Sequence, residues 1–204
     1  MSRITFAELL ALPGVVEEAE LRGRLGFMAY HGGGLEEMTD VIARAAAERA
    51  DASYYGVLHP PKWELHLPST RVDPGDSELL AGFLDHVDAV ITVHGYGRRQ
   101  LFTSLLLGGR NRELAAHVAG HLRAALPAYD IVDDVDRIPT ELRGMHARNP
   151  VNLPPLGGVQ IELPPRVRGS SPIWWDWEAG LVPHTESLID GLVTAASSFA
   201  PAVD

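Results

Sequence analysis

Three ionisable residues lie beside glycines at the predicted ends of apolar strands. His31 follows "FMAY", His94 follows "VITV", and Glu162 lies within "GGVQIELP". In an open α/β sheet, ligands bind at the carboxyl ends of the strands, so polar groups placed there after apolar runs are candidate site residues. We therefore expect these residues to belong to one functional site.

The spacing between His31 and Glu36 indicates a metal site. A glycine loop separates the two residues and lets the backbone fold tightly enough for both side chains to reach one ion. His94 would complete a set of two histidines and one carboxylate, which leaves one tetrahedral position for water, as in catalytic zinc sites. Zinc lowers the pKa of such a water to about 7. Glu162 is the best-placed general base, able to take the proton and pass it to a leaving amine.

Each of these residues also has a simpler explanation. A single histidine at a strand end is more often a hydrogen-bonded core or turn residue than a ligand. Glu36 is an acidic residue of the kind that the helix dipole favours at a helix start, and Glu37 would point roughly 100° away from it around the helix. Glu162 could face solvent, because "VQIEL" alternates polar and apolar residues. The coincidence of His31, Glu36 and His94 favours the metal site.

The elements that must position these residues follow from the periodicity of the chain. Short β-rich runs alternate with helical runs, which is typical of a sheet covered by helices. Strands are predicted in "RLGFMAY", "SYYGVLH", "WELHLPS", "AVITVHG", "QLFTSLLLGG", "YDIVDDV" and "VQIELP". Helices are predicted in "LEEMTDVIARAAAERA", "DSELLAGFLDHV", "NRELAAHVAGHLRAAL" and "TESLIDGLVTAASSFA". We predict an α/β fold, one domain over residues 1–204, with a mixed, mostly parallel sheet and helices on both faces.

Composition limits the partners. The 27 acidic and 17 basic residues give a formal charge of −10, which argues against nucleic acid as the main partner. Without cysteine, a metal would be held by histidine and carboxylate. No apolar run reaches the ~18 residues of a membrane span, and acidic residues interrupt the N-terminal segment where a signal peptide would stay apolar. We expect a cytoplasmic protein with no membrane partner, and the oligomeric state stays open.

Five sequence blocks give the chain a family resemblance. They occur in order between about Phe27 and Arg168: "HGGGLE", "LPSTRVDPG", "ITVHGYG", "LLLGGRN" and "GGVQIELPPRVR". In this order they resemble the poly-γ-glutamate hydrolase family, bacteriophage-type zinc enzymes whose fold is similar to that of zinc carboxypeptidases. The resemblance does not cover the N-terminal segment or the "WWDWE" region.

The resemblance implies a zinc-dependent, carboxypeptidase-like amide hydrolase. His31, Glu36 and His94 match the zinc ligands of the family, and Glu162 matches its general base. The implied substrate is poly-γ-glutamate or another γ-glutamyl compound. A deacylase or amidase for a small acylated metabolite, and a binding module without turnover, are the alternatives. Tyr30 stands before the first histidine, where family sequences often have a small residue or proline.

Arginines cluster within or beside the matched blocks: Arg71, Arg98, Arg99, Arg110, Arg166 and Arg168. The planar guanidinium suits a substrate carboxylate or an oxyanion, so we expect Arg71 and Arg110 to bind substrate. The simpler alternative is that each is a solvated surface residue. The remaining histidines, including His66, lack a comparable context, and His117 and His121 are expected on a helix surface.

Overall fold

One mixed sheet runs through the protein, which was analysed as a computed structural model that describes residues 4–98 and 100–200. Arg99 lies outside the described residues. The strands are β1 (Val16–Glu20), β2 (Leu25–Gly33), β3 (Ser53–His59), β4 (Ala89–Gly95), β5 (Ser104–Leu107), β6 (Asp130–Val132) and β7 (Gly158–Leu163). Their order in the sheet is β1-β3-β2-β4-β7-β5-β6. The β1–β3 and β5–β7 pairs are antiparallel and the other four pairs are parallel, so the predicted mostly parallel sheet is confirmed.

Helices cover both faces of this sheet, as predicted. They are α1 (Phe6–Leu10), α2 (Thr39–Arg49), α3 (Glu78–His86), α4 (Arg112–Ala125), α5 (Pro165–Arg168) and α6 (Pro183–Ser198). One core lies between the sheet and α2, α4 and α6, and a second core lies between the opposite face and α1 and α3. Among the described residues, no helix has the length and apolar character needed to cross a membrane.

Local capping explains where the predicted helices begin. Ser77 precedes α3 and its hydroxyl accepts a hydrogen bond from the Leu80 amide, while Asn111 precedes α4 and its side chain accepts from the Leu114 amide. Such caps satisfy amide groups that have no partner within the helix. Because each capping residue immediately precedes its helix in the sequence, the starts of α3 and α4 were predictable.

Two predictions around the candidate site are wrong. Helix α2 begins at Thr39 rather than Leu35, so Glu36 lies in the loop before the helix and not in its first turn. The segment "WELHLPS" forms no strand; it is a loop followed by a short 3₁₀ turn at Ser69–Arg71. Pro61 lies just before the segment and Pro68 lies near its end, and neither has the amide hydrogen that a sheet ladder requires.

Strand β2 continues beyond its predicted end at Tyr30, through His31 to Gly33. Its pairing with β3 is irregular: Ala29 pairs with Gly56 but Gly32 pairs with Leu58, so β2 has one extra residue here. An extra residue of this kind bends a strand and changes the direction in which its side chains point. The irregularity therefore accounts for the direction of the His31 side chain at the end of the strand.

The glycines after His31 allow two loops to touch. A Cβ atom at Gly34 would lie 2.1 Å from the carbonyl oxygen of Pro60, and Gly33 has a φ of 65° and approaches the His59 backbone. No larger residue fits at Gly34 without moving the backbone. The glycine run thus holds the loop that carries Glu36 against the segment after β3.

We expect Gly34→Ala to destabilise the protein by about 1–3 kcal/mol, because its methyl group would overlap the Pro60 carbonyl. Gly82→Ala is the matched control. A Cβ at this exposed position of α3 meets nothing within 4 Å, and the substitution should stabilise by roughly 0.5–1 kcal/mol. Urea unfolding curves measure both. Equal free energies of unfolding for the two variants would contradict the close approach.

Candidate active site

The Glu36 carboxylate lies between two buried imidazoles. Its Oε1 is 3.0 Å from Nδ1 of His31, and its Oε2 is 3.1 Å from Nδ1 of His94. The backbone amide of Gly95 donates to the same Oε2 at 2.8 Å. The two histidines are only 2% and 3% exposed. The structure therefore brings together the three residues that the sequence predicts to form a metal site.

Neighbouring strands and one tight loop produce this arrangement. His31 and His94 lie near the carboxyl ends of β2 and β4, which are adjacent and parallel. The amide of Glu36 donates to the carbonyl oxygen of His31 at 2.9 Å, which closes the loop between them. The site thus lies at the carboxyl edge of the sheet, where ligands bind in open α/β folds.

The second nitrogen of His31 determines which of its atoms is free to bind a metal. Nε2 lies 2.9 Å from the Leu67 carbonyl oxygen, which can only accept a hydrogen bond. Nε2 must therefore carry a proton, which leaves Nδ1, the nitrogen that faces Glu36, as the atom that can bind a metal. A hydrogen bond of this type commonly orients a metal-binding histidine.

A third imidazole, His66, faces the same carboxylate. Its ring centroid is 4.6 Å from that of His31, and ligand atoms of His31, Glu36 and His66 all lie within 4.8 Å of one another. His66 is exposed, on the loop that contributes the Leu67 carbonyl. His66 was not predicted as a site residue, because its loop was predicted as a strand and one histidine in a loop carries no spacing signal.

These donors suit zinc. Imidazole nitrogen and carboxylate oxygen are among the ligands that zinc prefers. His31, Glu36 and His94 converge with Nδ1 of each histidine directed at the carboxylate, and His66 adds a further nitrogen on the exposed side. The residues therefore fit the metal that the sequence predicts.

Burial and charge shift the pKa values of Glu36 and His94 in opposite directions. Burial by itself would raise the pKa of Glu36, but the facing His31 and His94 outweigh it and hold the pKa well below its usual range. Burial would lower the pKa of His94, but the Glu36 carboxylate raises it above its usual value. Glu36 is therefore an anion at neutral pH, as a metal ligand must be.

Glu162 is buried beside this group and does not face solvent. It pairs with His94 across the β4–β7 ladder and is 5% exposed. Its Oε1 accepts a hydrogen bond from Nε2 of Gln160 at 2.9 Å. Burial, supported by the charge of Glu36, raises the pKa of Glu162 to about 7. A carboxylate with a pKa near neutrality can both take and return a proton.

A cavity of about 860 Å³ opens over these groups. His31, Glu36, His66, His94 and Glu162 all line it. The segment from Thr140 to His146 lines it as well. The cavity is large enough for a small ligand or a short stretch of polymer.

The two arginines predicted to bind substrate are held by backbone carbonyl groups. The Arg71 guanidinium donates to the Ile4 carbonyl, and Nε of Arg110 donates to the Met145 carbonyl at 3.1 Å. Neither residue lines the cavity, so their role in substrate binding stays a prediction. Arg143 does line the cavity, but its Nε donates to the Ile138 carbonyl at 2.8 Å.

The histidine pair on α4 is used in helix packing. Nε2 of His117 lies 3.0 Å from the Ala195 carbonyl oxygen on α6, so this nitrogen carries a proton and donates to the neighbouring helix. His121 lies one turn further along, with its Nε2 3.2 Å from the Ser198 hydroxyl oxygen. The pair therefore connects α4 to α6, away from the cavity.

Comparison with known proteins adds three kinds of match. A family model described as poly-gamma-glutamate hydrolase matches residues 11–171. The SPbeta prophage-derived protein YoqZ of Bacillus subtilis is 32% identical over 143 residues, which are 69% of this chain and 48% of YoqZ. The chain therefore spans about half the length of this curated relative.

Solved structures share the fold at low sequence identity. A bacteriophage poly-gamma-glutamate hydrolase is 20% identical with a TM-score of 0.76, over 92% of this chain and 91% of the other. A structure described as zinc-free YNDL is 20% identical with a TM-score of 0.66, over 87% and 89%. The product of gene Atu2144 from Agrobacterium tumefaciens is 13% identical with a TM-score of 0.53, over 91% and 94%.

The raised pKa of Glu162 predicts a pH-dependent cost of folding. A carboxyl group whose pKa is higher in the folded state stabilises the fold below its unfolded value of 4.5, and this contribution is lost as the pH rises through about 7. Between pH 5 and pH 8 the free energy of unfolding of the metal-free parent should therefore fall by roughly 2 kcal/mol more than that of Glu162→Gln. Urea unfolding with a chelator present, at both pH values, measures this difference. Parallel pH profiles for the two proteins would contradict the shift.

Proposed function

Because the chain belongs to the poly-γ-glutamate hydrolase family, we propose that it is a zinc-dependent hydrolase of an amide or peptide-like bond. One observation carries the proposal. A partly buried carboxylate, Glu36, faces the Nδ1 atoms of His31 and His94, and a buried carboxyl group, Glu162, has a pKa of about 7 beside them. One carboxylate is suited to hold a metal and the other to move a proton.

In this proposal His31, Glu36 and His94 hold zinc, and His66 lies on the exposed side of the same group. Zinc, when bound, supplies Lewis acidity that polarises a carbonyl group and makes water more acidic. The chain contributes anionic Glu36 and the imidazole lone pairs. The fold buries the two histidines and places all three ligands in the lining of the cavity.

Glu162 carries the proton through the reaction. It accepts a proton from the attacking water as the water oxygen bonds to the amide carbon. It then returns this proton to the nitrogen as the carbon–nitrogen bond breaks, which releases a carboxylic acid and an amine. The hydrogen bond from Gln160 to Oε1 keeps the carboxyl group facing the cavity.

The family makes a γ-glutamyl bond the first candidate substrate. The described cavity lining favours a second candidate, a small acylated metabolite with little negative charge. Arg143 is the arginine in that lining, and its guanidinium is bonded to the Ile138 carbonyl. Glu141, also in the lining, is paired with Arg98. The described lining therefore offers few cationic side chains that could bind a polyanion. A cytoplasmic location stays a prediction.

We expect about one zinc per chain in the purified parent and almost none in a His31→Ala/His94→Ala double variant, because the variant loses two of three ligands. His117→Ala/His121→Ala is the matched control and should keep its zinc, since that pair lies on α4. Elemental mass spectrometry after dialysis gives the metal content. Equal zinc in all three proteins would refute the assignment of the ligands.

Glu162→Gln should lower the rate of amide hydrolysis by about 10²–10⁴-fold while zinc content stays near one, because the amide cannot accept the proton. Glu48→Gln, the same change on the exposed face of α2, should leave the rate unchanged. Release of amine is measured on γ-glutamyl oligomers and on neutral N-acyl amino acids. Activity on the second set alone would favour the deacylase. A zinc-loaded parent inactive on both sets would favour the binding module.

A further inference from the structure

We propose that Tyr30 and Asn149 are positioning residues that orient His94 for metal binding. The inference rests on the proposed function, since it concerns the same metal site. It adds Tyr30 and Asn149 to the three residues that the sequence predicts to bind the metal. Buried side chains are linked here by a series of hydrogen bonds, and the donor and acceptor of each bond can be assigned.

A backbone group fixes the orientation of Asn149. The amide of Val151 donates to Oδ1 of Asn149 at 3.2 Å, so this side-chain atom is the acceptor oxygen. The Tyr30 hydroxyl lies 3.1 Å from the same oxygen and must donate to it. The hydroxyl proton of Tyr30 is thereby committed to Asn149.

The direction of this Tyr30 hydrogen bond then determines which nitrogen of His94 carries a proton. Nε2 of His94 lies 3.0 Å from the Tyr30 oxygen. Because that oxygen already donates its proton to Asn149, it can only accept from His94, so Nε2 carries a proton. Nδ1, which faces Glu36, is left as the nitrogen that can bind a metal. His94 thus reaches the same state as His31, which donates from Nε2 to the Leu67 carbonyl.

The chain continues from Asn149 to Glu162. Nδ2 of Asn149 donates to Oε1 of Gln160 at 2.8 Å, and Nε2 of Gln160 donates to Glu162 at 2.9 Å. A second backbone group agrees with this direction, because the same Gln160 nitrogen lies 3.3 Å from the Leu142 carbonyl. The metal ligand and the proposed base are therefore oriented by one connected network.

Burial makes this network costly to disturb. Tyr30 is fully buried and Asn149 is 3% exposed. Water has little access to replace a lost partner, and the Nε2 proton of His94 would be left without an acceptor.

The test compares zinc affinity in Tyr30→Phe and Tyr55→Phe. Each variant removes one hydroxyl from a fully buried tyrosine and keeps the ring, so both should fold; the Tyr55 hydroxyl donates to Glu17 instead, at 2.6 Å. We expect Tyr30→Phe to bind zinc 10–100-fold more weakly than the parent, as is common when a group orienting a ligand is lost. Tyr55→Phe should bind zinc like the parent.

Two measurements on each variant separate positioning from stability. Competition with a chromophoric chelator gives the zinc dissociation constant, and urea unfolding of the metal-free protein gives the stability. The positioning role is supported if both variants lose a similar amount of stability and only Tyr30→Phe binds zinc more weakly. Equal zinc affinity in both variants would overturn it and leave amide hydrolysis standing. Weakened binding in Tyr30→Phe, from a parent that cleaves no amide, would support positioning and overturn the proposed function.

Discussion

The site depends on one carboxylate, Glu36, that is only 13% exposed and is shared between two imidazoles. A buried charge is stable only when it is paired and hydrogen-bonded. Here His31, His94 and the Gly95 amide supply those partners at 2.8–3.1 Å. Removing one partner would leave a charge in a place that water hardly reaches. The surrounding fold is therefore constrained to keep β2, β4 and the loop after His31 in register.

The fold satisfies that constraint through close backbone contacts. The extra residue in β2 accounts for the direction of His31, and Gly34 allows its loop to approach Pro60 to a distance that excludes any Cβ atom. The Leu67 carbonyl, on the loop after β3, orients His31 from the other side. These contacts come from segments that are more than 20 residues apart in sequence, and the sheet brings them together at one edge.

Two carboxyl groups at this edge differ because their surroundings differ. Glu36 faces two imidazoles, and its pKa lies well below the usual range. Glu162 receives one neutral hydrogen bond from Gln160 and is 5% exposed, and burial raises its pKa to about 7. Such a separation of pKa values between neighbouring groups is how one site provides both an anion and a proton carrier. The Tyr30–Asn149–Gln160 chain connects the two halves, so the orientation of His94 and that of Glu162 are coupled.

The sequence by itself determined the class of fold, the strand bounds of β3 and β4, and the capped starts of α3 and α4, because these depend on local periodicity and on side chains adjacent to the helix ends. It also singled out His31, His94 and Glu162 by their positions in or after apolar runs, and Glu36 by its spacing from His31. Only the tertiary structure placed Glu36 before α2, brought His66 to the cavity, left Arg71 and Arg110 out of the cavity lining, and connected Tyr30 to Asn149. These features depend on irregular loops and on contacts between distant segments, for which neither residue spacing nor periodicity carries a signal.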